Sequence, residues 1–145
     1  MTISLAHEAS ILDLLPLLGP TASTRGFSAE LRMLDARVGG DLFGFDTNVG
    51  KIIPDAFSIV KQGKNWLIDI IEVEHSCKLD TAKYRSLALL VDGSSRVAMR
   101  IRAYASNGVL RETFDEVNIF PEATICDNGI DYASPPKEKP SENEL

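Results

Sequence analysis

Trp66–Glu74, WLIDIIEVE, is the stretch from which the fold is read. A run this short, rich in β-branched and aromatic residues, has the composition of a buried strand. Strand side chains alternate between faces with a period of two, so Glu72 and Glu74 point the same way. Two carboxylates at the end of an apolar strand repel each other and resist loss of water. A cation, basic side chains or solvent must offset that cost.

Immediately before it, Ala56–Lys61 (AFSIVK) alternates as a strand, and Gln62-Gly63-Lys64-Asn65 is turn composition, which predicts a hairpin. After Glu74 the chain is polar as far as Asp80, a helix cap. A helix over Thr81–Val91 follows, with Ala82, Leu87, Leu90 and Val91 inward. Arg96–Ala105 alternates again, placing Val97, Met99, Ile101 and Ala103 on one face and basic groups on the other. A helix between two strands of one sheet predicts parallel pairing across it.

Further upstream, Leu5, Ala9, Leu12 and Leu15 recur at helical spacing over Ile3–Leu15, and Pro16 is expected to end that helix. A second helix is expected from Ser28 as N-cap, with Glu30 in its first turn and Leu31, Leu34 and Val38 buried. Gly39-Gly40 close it. Leu42–Phe45 reads as a short strand, Val109–Glu116 as a short helix and Val117–Phe120 as a strand. From Ser134 the chain (SPPKEKPSENEL) has almost no apolar content and is expected to be a disordered tail. The organisation is therefore one domain over 1–133 and a tail over 134–145.

With 44% apolar and 25% charged residues, the composition is that of a globular domain. A net charge of −6 argues against a non-specific grip on nucleic acid unless a divalent ion or a local basic cluster reverses it. Cys77 and Cys126 form no CxxC pair, so neither a disulfide framework nor a zinc knuckle is expected. No membrane span or secretory signal is read, and a cytoplasmic location is expected.

The hairpin brings Asp55, at the start of one strand, beside Glu72, near the end of the next. With Glu74, three carboxylates are expected to converge. Hard oxygen donors suit Mg²⁺, with Mn²⁺ as a substitute. His7 and His75 lack zinc-ligand spacing. Lys83, nine residues beyond Glu74, is placed to aim an ammonium at the same point. Each piece also has a plain structural reading: a Pro-Asp turn, a solvated strand end, an exposed helical lysine, an incidental His75. Arg96, Arg100 and Arg102 read as surface charge or as phosphate contacts.

Pro54-Asp55, then Glu72-Val73-Glu74 ending an apolar strand, then Lys83 on the next helix, resembles the PD-(D/E)XK nuclease superfamily. The resemblance covers about 28–106. It implies an α/β, restriction-endonuclease-like fold, an α-β-β-β-α-β core with a mixed central sheet flanked by helices. By resemblance Asp55, Glu72 and the Val73 carbonyl bind the metal, and Glu30 falls where some members carry a further acidic residue. Glu74 occupies the family's lysine slot. Either it serves as base, as in a Glu-X-Glu variant, or Lys83 is the migrated lysine. The implied activity is Mg²⁺-dependent hydrolysis of phosphodiester bonds in DNA or RNA, with His75 as a possible accessory. A homodimer or partner protein would serve cutting of both strands. The alternative is a catalytically inactive member that acts as a protein-binding or regulatory module.

Overall fold

A computed structural model of the chain describes residues 5–75 and 79–116. Four strands form one sheet in the order β1-β2-β3-β4: β1 is Ala56–Gln62, β2 Asn65–Glu74, β3 Val97–Ala105 and β4 Leu110–Asp115. The apolar stretch quoted above is β2, one of the two inner strands. It pairs antiparallel with β1 and parallel with β3, while β3 and β4 are antiparallel. The sheet is thus mixed, and the chain is α/β.

The β1–β2 connection is a two-residue turn, Gly63-Lys64, flanked by the Gln62–Asn65 pair. Gly63 has φ +63°, a conformation glycine takes without steric cost and one that tight hairpin turns demand. The parallel β2–β3 step needs a crossover, supplied by a 3₁₀ turn at Thr81–Tyr84 and helix α4, Arg85–Asp92. Asp80 caps it, its carboxylate accepting the Ala82 N–H at 3.0 Å.

Period-two alternation along β2 divides the core. Ile68 and Ile70 face α2 (Phe27–Arg37) and α4, packing with Leu31, Leu34, Leu87, Val91 and Ile101. Ile71 and Val73 face the other way, onto Ile11 and Leu14 of α1 (Leu5–Leu14) and onto Leu18. Burying each such aliphatic side chain contributes about 1.5–3 kcal/mol, so β2 is anchored on both faces.

Several local expectations are corrected. Leu42–Phe45 is not a strand. The Leu42 and Phe43 amides both donate to the buried carboxylate of Asp35, which occupies the donors a sheet ladder would need. Asp46 then caps a one-turn helix, α3 (Thr47–Gly50). The cap of α2 is Gly26 in the left-handed region, not Ser28. The first α-helix ends at Leu14, immediately before Pro16 as expected, and a separate 3₁₀ turn over Leu15–Leu18 follows, with the proline tolerated in its first turn. The buried stripe of that segment is Ile11–Leu14–Leu18, whereas Leu12 is exposed. Ala82 is exposed, and Tyr84 takes the inward position. Val109–Glu116 holds the edge strand β4 rather than a helix. The expected Val117–Phe120 strand and the tail from Ser134 lie outside the described residues, as do Cys77 and Cys126. The outer edge of β1 is met by Ser23, which exchanges two backbone hydrogen bonds of 2.9 Å with Phe57.

Candidate functional site

The hairpin register pairs Ala56 with Ile71, so Asp55, one residue earlier, arrives beside Glu72 and Val73. Its Oδ2 accepts the Val73 N–H at 2.7 Å, and its Oδ1 lies 3.5 Å from Nε2 of His7 on α1. Glu72 faces the α2–α4 side and is only 6% exposed. Its Oε2 accepts from the Tyr84 hydroxyl and lies 3.0 Å from Lys83 Nζ. Lys83 also donates to the Ile53 carbonyl at 3.1 Å. The strand end, the Ile53–Asp55 entry to β1 and the turn before α4 therefore meet at one point, and each supplies a charged or strongly polar group.

Burial dominates the electrostatics of Glu72 and raises its pKa from 4.5 to about 7. The neighbouring Asp55 charge adds to the rise, while Lys83 and the Tyr84 hydrogen bond oppose it. A carboxyl half-ionised near neutrality and touching a lysine is what acid–base or metal chemistry uses. Burial, and then Glu72 itself, pushes the Tyr84 hydroxyl well above its ordinary value, so Tyr84 stays a donor.

Of the residues singled out in the sequence, Asp55, Glu72, Val73 and Lys83 come together. Glu74 shares the Glu72 face, but its carboxylate accepts the Leu79 N–H at 2.9 Å and is buried there. Among the described residues, no group of three or more His, Cys, Asp or Glu side chains gathers closely enough to hold a metal ion. The expected three-carboxylate convergence is thus reduced to the Asp55–Glu72 pair. Glu30 is exposed in the first turn of α2 and makes no ion pair or hydrogen bond with that pair. His75 is exposed, its ring edge-on to that of His7 with centroids 5.9 Å apart.

Sequence reasoning missed two contributors. Tyr84 is adjacent to Lys83, and a buried tyrosine needs a partner for its hydroxyl, which was the available signal. His7 carried no signal, because its approach to Asp55 depends on where α1 packs.

Arg100 and Arg102 are not free cations awaiting phosphate. Both bind Asp69, at 2.8 and 3.1 Å, on the sheet face opposite Glu72. The hydrogen bond to Asp69 raises the pKa of Arg100 further. Arg96 reaches the Val38 carbonyl.

Tyr84→Phe is expected to move the Glu72 titration to higher pH, because the hydroxyl hydrogen bond favours the ionised carboxylate. Carbon-13 NMR titration of the Glu72 carboxyl would read the midpoint. A midpoint unmoved from wild type would mean that the hydroxyl does not serve the carboxylate.

No model of a known protein family matches the chain, and no curated protein matches it. Among the described residues, no helix is long and apolar enough to cross a membrane.

Proposed function

We propose that the protein is a divalent-metal-dependent nuclease, built on a restriction-endonuclease-like core, that hydrolyses phosphodiester bonds of DNA or RNA. One observation carries this reading: Asp55, Glu72 and Lys83, from three separate segments, meet at one end of the sheet around a buried carboxyl with a pKa of about 7. The hairpin, crossover helix and parallel returning strand support the core assignment.

The donor set fits Mg²⁺ or Mn²⁺. Mg²⁺ is usually held by one or two carboxylates and keeps waters that a phosphate replaces, so a closed cage of three side chains is not required. Both polar contacts of Glu72 fall on Oε2, and a bound cation would relieve the cost of ionising this buried group. Asp55, Glu72 and the Val73 carbonyl would hold the ion. When bound, it would supply Lewis-acid polarisation of the phosphate and a water of lowered pKa.

The remaining tasks fall to the chain itself. The Val73 N–H fixes the Asp55 carboxylate. Lys83 spends two of its three donors on Glu72 and the Ile53 carbonyl, leaving one for an oxygen where charge develops. Glu74 takes the Leu79 amide and so ties the segment that leads into the Lys83 turn to the end of β2. We assign it this positioning role rather than that of base.

Thermal melting with and without Mn²⁺ tests the site. Saturation at about a hundred times Kd would stabilise the fold by about 2.7 kcal/mol, and Asp55→Asn is expected to remove that shift. Labelled DNA and RNA, single- and double-stranded, should be cut in Mn²⁺ by wild type and not by Asp55→Asn. Absence of both the shift and the cleavage would return the chain to the protein-binding reading.

A further inference from the structure

Three cavities of about 450, 360 and 290 Å³ share Ile53 in their lining. Ile53 is 77% exposed and immediately precedes Pro54-Asp55. Lys51 and Lys83 line the first cavity, Asp55, Glu8 and Arg25 the second, and Arg25 the third as well. The three therefore form a trough that runs past the candidate site. Most cations elsewhere are engaged: Arg100 and Arg102 on Asp69, Arg96 on a carbonyl, Arg32 and Arg37 over aromatic rings. The side chains of Arg25 and Lys51, both exposed, form no ion pair or hydrogen bond among the described residues. On a chain with net charge −6, these two cations, unpaired among the described residues, line the same run of cavities as Asp55 and Lys83.

We infer that this trough binds a single-stranded polynucleotide, with Arg25 and Lys51 on phosphates either side of the candidate site and Ile53 against a base or sugar. The inference rests on the nuclease reading and names its substrate class. Glu72 is recessed at 6% exposure, and Lys83 joins its carboxylate to the carbonyl of the projecting Ile53. A phosphate seated at Lys83 and Asp55 would have Ile53, shared by both cavities, as its apolar neighbour. A duplex is stiff over about 150 base pairs and keeps its bases stacked inside, so it would meet Ile53 with its backbone. A single strand bends and can turn a base onto an apolar surface while its backbone follows a basic groove. Glu8 and Asp55 are the acidic groups of the second cavity, where Arg25 faces them, and Lys51 lies with Lys83 in the first.

Fluorescence anisotropy with the full chain in Ca²⁺ buffer tests this, using labelled single-stranded DNA and RNA of one sequence and the matching DNA duplex. The single strands are expected to bind at least about tenfold more tightly than the duplex. Removing two phosphate contacts in the Arg25→Ala/Lys51→Ala double variant should weaken binding by about tenfold. It should also flatten the salt dependence by about 1.4, at roughly 0.7 per phosphate. Ile53→Ser should weaken single strands and leave the duplex unchanged. Equal or tighter duplex binding, a double variant indistinguishable from wild type, or no binding of any strand overturns the inference. Tight single-strand binding without metal-dependent cleavage would uphold the trough and remove the nuclease reading, while cleavage confined to duplex would do the reverse. The DNA and RNA arms identify which polynucleotide is preferred.

Discussion

Glu72→Gln is expected to make the protein more stable above neutral pH while sharply lowering the proposed metal-dependent cleavage. The folded pKa of Glu72 is about 7 against an ordinary 4.5. Below about pH 4.5 the carboxyl is protonated in folded and unfolded chains alike, and it costs nothing. Between 4.5 and about 7 the folded chain holds a proton that the unfolded chain has released, so stability falls as pH rises. Above about 7 the group is ionised in both, and the full cost, about 3 kcal/mol, is present. Glutamine never ionises and escapes the decline. Lys83 loses its partner, which trims the net gain to about 1–3 kcal/mol at pH 8, or several degrees in Tm for a chain of this size. Cleavage should fall by roughly 10³-fold, the scale on which electrostatic groups of this kind act. Urea denaturation of both proteins at pH 5 and pH 8 measures the stability arm. A variant no more stable than wild type at pH 8 would mean that Glu72 is not held ionised against its burial.

Asp69→Ala is expected to cost about 2–4 kcal/mol and to leave the proposed Mn²⁺ site undisturbed. Asp69 is 5% exposed in the middle of β2, and its carboxylate takes both Arg100 and Arg102. Breaking a buried ion pair leaves an uncompensated charge and typically costs 3–5 kcal/mol. Arg100 is 42% exposed and recovers solvation when released, which lowers the figure. Arg102 does not, since its Nε is already buried without a hydrogen-bond partner among the described residues. Because Asp69 and Glu72 lie on opposite faces, the loss should appear in the urea midpoint at unchanged metal affinity. A loss below about 1 kcal/mol would show the pairing to be only surface charge. Asp69→Leu with Arg102→Met should recover part of the loss, as apolar replacement of buried ion pairs often does.

The two outcomes mirror each other. Glu72 lacks enough opposite charge to make ionisation favourable, and that deficit is what the proposed divalent cation would fill. Asp69 is met by two guanidiniums and serves the fold. The sequence WLIDIIEVE places both acids on one strand and does not say which is which. Period-two alternation separates their faces, but their partners come from residues 11 to 33 positions away.

What the sequence alone determined was the part governed by local chemistry: the hairpin around Gly63, the Asp80 cap, the alternation of β2 and β3, and the parallel step that a crossover helix enforces. From these the meeting of Asp55, Glu72 and Lys83 followed, because a hairpin and one helical turn are short-range constraints. Tertiary structure alone decided the rest. The Leu42 and Phe43 amides went to Asp35 instead of a ladder, Leu110–Asp115 joined an open strand edge although its residues permitted a helix, and α1 buried Ile11 and Leu14 while leaving Leu12 outside. In each case two local conformations lay close in energy, and the choice belonged to a distant surface that only the assembled sheet presents.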